Sequence, residues 1–148
     1  MGDSKIGSLT DGGYSRGESG AYRLINTVCK SVRERGCEKS GRMVDFATFV
    51  KTERGLDDVP LAPFFENRFN ILFYNAAGTY FLEDHLKVFF ERVENKNKLL
   101  SAVYYDLEVP SFMVACRALG MIDKPITGPL WRCITDMVKA LLSCRGLI

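Results

Sequence analysis

Histidine is almost missing from this chain: His85 is the only one among 148 residues. That confines the commonest general base and zinc ligand to a single position. His85 stands beside Glu83 and Asp84, with no serine or cysteine at a catalytic spacing, so it reads as a surface or partly buried side chain. A paired-cysteine pattern is also missing. Cys29, Cys37, Cys116, Cys133 and Cys144 are odd in number and contain no CxxC pair, which argues against a disulfide framework and against a zinc knuckle. They read as thiols in a reducing compartment, and no metal or cofactor is expected. No GxGxxG follows a predicted strand and no GxxxxGK loop occurs, so nucleotide binding has no motif behind it. No run approaches the roughly 20 apolar residues of a membrane span.

The chain has no strong excess of either charge. Its formal net charge is +2, so bulk electrostatics single out neither nucleic acid nor an anionic membrane nor an acidic ligand. The distribution is less even than the total. Residues 16–42 carry seven Lys/Arg against three Glu, whereas residues 43–111 carry seven basic and eleven acidic groups. A basic segment ahead of an acidic middle fits a phosphate-facing edge, two complementary surfaces, or plain solvated faces. Asp57-Asp58 is an adjacent carboxylate pair of the kind that holds a divalent metal. Its place before Val59-Pro60 favours a solvated turn instead.

What the chain has is hydrophobic content, 47%, enough for one ordinary domain with a core. Residues 1–18 are rich in Gly, Ser and Asp; they resemble neither a secretory signal nor a transit peptide and are expected to be a disordered leader. The expected domain is 19–148, with basic N-terminal helices over 19–54 and an aromatic-rich bundle over 64–144. Ala21, Ile25, Val28, Cys29 and Val32 fall on one helical face, closed by Gly36. Met43, Phe46, Ala47 and Val50 fit a second helix, but Val44, Phe46, Thr48 and Val50 alternate, so a short strand near 43–50 stays open. Gly55 to Pro63, with two prolines, reads as an extended connector.

Aromatic sequence then runs from Phe64, is interrupted at Gly78, and resumes over Phe81 to Val93 with Leu82, Leu86, Phe89 and Val93 on one seam. Leu99, Leu100, Val103 and Leu107 suggest a short helix. Pro110 opens another that buries Phe112, Met113 or Cys116, and Leu119, and stops at Gly120. Asp123 to Gly128 reads as a Pro/Gly connector, followed by a last stripe of Leu130, Ile134, Met137 and Leu141. Trp131 is expected to be a buried anchor; an exposed Trp131 would indicate an interface. Arg68 with Phe69 and Tyr74, and Lys96 and Lys98 with Tyr104-Tyr105, have the mixture that stacks on bases and contacts phosphates, although aromatics at helical spacing are more often core.

Three blocks occur in a telling order: Ala21-Tyr22-Arg23-Leu24-Ile25-Asn26, then Arg42 to Phe49, then Arg68-Phe69-Asn70 leading into Ile71, Leu72 and Phe73. They resemble blocks of hAT superfamily transposases around the all-helical insertion of the RNase H fold, and the likeness runs over roughly residues 20–135. Tyr22 stands where that family usually has histidine and Phe69 where it has tryptophan. The family's first two catalytic carboxylates precede these blocks and the third follows the insertion. The resemblance therefore implies a noncatalytic fragment, with no carboxylate carried over as catalytic.

The expectation from sequence is a mostly all-α, irregular multi-helix bundle, intracellular and nuclear, acting as a protein-interaction or oligomerisation module. Phe69, Phe73, Phe89, Phe90 and Trp131 are the candidate interaction residues, because the aromatics around Phe64 to Phe90 exceed what one small core covers. The different-class alternative is auxiliary DNA binding through Arg23, Lys30, Arg33 and Arg68. A protein partner, a second copy or DNA is the expected partner; membrane and small-molecule substrate are not.

Overall fold

A computed structural model describes residues 19–33, 42–63 and 69–145. The expected leader at 1–18, the helix stop at Gly36, and Arg68 all lie outside those residues. The described chain is all-α, without strands. Helix α1 spans Gly20–Val32, α2 Met43–Arg54, α3 Phe69–Phe81, α4 Glu83–Arg92, α5 Lys98–Leu107 and α6 Pro110–Ile122; a π-helical turn at Asp123–Thr127 leads into α7, Gly128–Arg145.

Helix α1 is the axis of the bundle, packing against α2, α3, α5 and α6. It starts at Ser19, whose hydroxyl accepts a hydrogen bond from Tyr22 N at 3.2 Å and so satisfies one of the donors that a helix start leaves over. Leu24, Ile25, Val28, Cys29 and Val32 are fully buried. Thr27 and Ser31 are buried as well, and buried hydroxyls need internal partners. Thr27 Oγ1 donates to Arg23 O at 2.8 Å and Ser31 Oγ to Val28 O at 2.9 Å.

Residues 43–50 are helical throughout, which closes the strand alternative. Phe46 and Val50 are buried one turn apart, whereas Val44 and Thr48 face solvent; the stripe with period 3.6 outweighs the alternation. Gly55 ends α2 in the left-handed region at φ 67°, where a glycine carries no steric penalty. The connector that follows has no regular structure and is pinned rather than loose. Asn75 Oδ1 accepts from Ala62 N at 2.7 Å, and its Nδ2 donates to Ala62 O at 3.0 Å, while Val59 and Leu61 are buried beneath it.

Neither expected glycine break occurs. Gly78 lies inside α3, where a Cβ would collide with the carbonyl of Pro60, and Gly120 lies inside α6, where a Cβ would sit 2.7 Å from Ala77 Cα. Both glycines therefore serve close backbone approach. The real break after α3 is at Leu82, buried at the bend into α4. Leu82, Leu86, Phe89 and Phe90 then fill the core, with Phe89 edge-on to Phe46 at 5.1 Å between ring centroids. Asn97 caps α5 by accepting from Leu100 N at 2.9 Å, and Pro110 opens α6.

The expected connector at 123–128 is helical instead. Pro125 has no N–H to continue the α-helical ladder, and the turn widens into the π register, with Thr127 Oγ1 donating to Asp123 Oδ1 at 2.6 Å. The chain therefore runs as helix from Pro110 to Arg145.

Candidate association surface

Helix α7 leaves the bundle. Its principal packing is against the π-turn that precedes it, and its large apolar side chains stay in solvent. Trp131 is 46% exposed, Met137 65% and Leu141 64%; Leu130, Ile134, Val138 and Leu142 are exposed too. At 100° per residue, these seven occupy an arc on the order of 140°. Arg132, Asp136, Lys139 and Ser143 gather on the opposite side, and Thr135 borders the arc next to Leu142. Such a division of faces normally marks a helix that lies against something. Trp131 is thus not the buried anchor expected of it; the bundle ends before it.

The other predicted interaction residues are placed differently. Phe89 and Phe90 are core residues, 7% and 0% exposed, so they cannot present a surface. Phe46 packs edge-on and Phe49 tilted against Phe89, while Tyr74, Tyr80 and Phe81 of the same aromatic stretch are exposed on α3. Phe73 is half-buried on α3. Phe69 begins α3, and its side chain lies outside the described residues.

The four predicted DNA contacts do not form a described patch. Arg23 is buried and pairs with Asp106, Nε to Oδ2 at 2.9 Å and Nη2 to Oδ1 at 3.0 Å. Its guanidinium also lies over the Phe112 ring, 5.7 Å from the centroid. Burial raises the Asp106 carboxyl above its ordinary pKa, against the pull of Arg23. A cation held this way is unavailable to phosphate, so Arg23 belongs to the core and not to a DNA-facing edge. Lys30 and Arg33 are half-buried near the end of α1, and Arg68 is outside the described residues.

A crevice of about 60 Å³ lies among Val32, Arg33, Met43, Leu56, Asp57 and Asp58, far below the roughly 300 Å³ at which ligand pockets begin. Asp57 and Asp58 are exposed there. His85 is half-buried and stacks on Phe81. Among the described residues, no three His, Cys, Asp or Glu side chains converge as metal ligands, and no single helix is long and apolar enough to cross a membrane.

Leu130, Ile134, Met137 and Leu141 are the stripe the spacing predicts, but they are not among the predicted interaction residues. Val138 and Leu142 widen it. The signal available was the breadth of the apolar arc, which continues through Trp131 and Val138 beyond a narrow seam. Compared with protein-family models, curated proteins and solved structures, the chain matches none.

Proposed function

We propose that this chain is a noncatalytic protein-association domain, in which helices α1 to α6 form the folded support and α7 is the docking element. The observation that carries the reading is the exposure of seven large apolar side chains on one side of an 18-residue helix that leaves the bundle. Contiguous apolar surface of that extent on a packed helical bundle marks an interaction site. The three short blocks that resemble hAT transposases support the same reading, because in that family such blocks stand around an all-helical insertion. DNA contact through α1 has less behind it, since Arg23 is neutralised inside the core.

The test is photo-cross-linking in cells from a benzophenone amino acid at position 137, in the full chain. Discrete protein adducts that vanish with Leu141→Glu are expected. A folded chain that gives no adduct at that position would sink the reading.

A further inference from the structure

The exposed face of α7 also indicates what covers it, and this step rests on the association reading above. We infer that the occupant is a second copy of this chain, whose α7 lies antiparallel on the first.

Three observations carry this. The first is area. At the exposures given above, the seven apolar side chains present on the order of 700 Å² per copy, close to the ~800 Å² per partner of a standard interface. Two such faces cover each other without requiring a larger partner.

The second is charge. Arg132, Asp136 and Lys139 sit opposite the apolar arc, and Cys133 and Ala140, beside it, are uncharged. Flanking charges select a heterologous helix partner and repel the wrong one. Between Leu130 and Leu142 the arc itself carries no charge, so nothing within it opposes an identical face.

The third is spacing. Leu130, Trp131 and Ile134 precede Asp136 by six, five and two residues, and Leu142, Leu141 and Val138 follow it by the same intervals. An antiparallel pair centred at the level of Asp136 sets Leu130 beside Leu142 of the partner subunit, Trp131 beside Leu141 of the partner subunit, and Ile134 beside Val138 of the partner subunit. Both contacting surfaces are then the same patch, as a two-fold axis requires. The opposed helix dipoles favour this direction. It also puts the two bundles at opposite ends of a helix pair about 27 Å long, clear of each other.

The experiment uses the full chain. Sedimentation velocity across a dilution series is expected to show a dimer that dissociates on dilution, and Ile134→Glu is expected to be monomeric with an unchanged helical spectrum. Direction is read separately, with Cys37, Cys133 and Cys144 replaced by serine. A Leu130→Cys chain mixed with a Leu142→Cys chain should oxidise to a covalent dimer, and neither variant alone should. Self-cross-linking of either variant alone means a parallel pair and overturns the inference. A strict monomer that still gives heterologous adducts from position 137 overturns the second copy but leaves the association reading standing. A monomer that gives no adduct and floats with phosphatidylglycerol vesicles overturns both.

Discussion

Arg23 and Asp106, 83 residues apart in the chain, meet through two parallel hydrogen bonds of 2.9 and 3.0 Å inside the bundle. The pair ties α1 to α5, and the Phe112 ring of α6 lies against the guanidinium. Removing one partner leaves the other charge buried without compensation. Asp106→Asn is expected to cost about 3–5 kcal/mol in urea unfolding, whereas the double change Arg23→Met with Asp106→Leu should recover most of that loss. Equal losses in the single and double variants would show that the pair is not the cause.

Cys116 makes alkaline pH destabilising. Burial, with a smaller contribution from the Glu83 charge, pushes its thiol from an ordinary value of 9.0 up to about 12. Between those values the unfolded chain has lost the proton and the folded chain still holds it. Stability therefore falls as pH rises through this window, by up to about 1.4 kcal/mol per pH unit. Below pH 9 this group contributes no slope. The same urea titration on Cys116→Ala should lack the extra alkaline slope.

Gly120 sets the distance between α3 and α6. A Cβ there would lie 2.7 Å from Ala77 Cα and 3.0 Å from Ala77 N, backbone that cannot move without shifting the helix. Gly120→Val is expected to lower stability by about 1–3 kcal/mol despite its better helix propensity. A thermal midpoint at or above that of the unmodified chain would rule out tight packing at this crossing.

Phe90 and Trp131 should respond oppositely to truncation. Phe90 is fully buried, and Phe90→Ala should cost about 3–5 kcal/mol. Trp131→Ala, measured on dilute monomer, should stay within about 0.5 kcal/mol of the starting stability. Trp131 is the only tryptophan, so its emission reports its surroundings directly. It should resemble solvated indole in dilute protein and move to shorter wavelength as the chain associates.

Local patterning carried most of the helices. The seam of Leu82, Leu86 and Phe89, the buried Phe112, Met113 and Cys116, and Pro110 at a helix start were all readable because each rests on spacing within one or two turns. The glycines misled because the same residue serves a helix end and a close crossing. Only the neighbours, Pro60 against Gly78 and Ala77 against Gly120, decide which. Arg23 misled for a related reason: its partner Asp106 is remote in sequence, and a basic residue on a helix gives no sign of being neutralised. The stripe on α7 was visible, but periodicity cannot tell a face that meets the chain's own core from one that meets another chain.

The π-turn at Asp123–Thr127 sets the orientation of α7. Carried straight through at 3.6 residues per turn, Phe112, Cys116 and Leu119 would continue into Leu130, Ile134, Met137 and Leu141 as one unbroken stripe. A π turn takes up one residue more than the α turn it replaces, which puts the two halves out of phase by roughly 100°. Pro125 thus works as a splice between two gears cut to the same pitch, one turned inward on the bundle and the other set to mesh elsewhere. Loss of a single residue from that turn would bring the teeth back into line and point the outer gear along the bundle's own side.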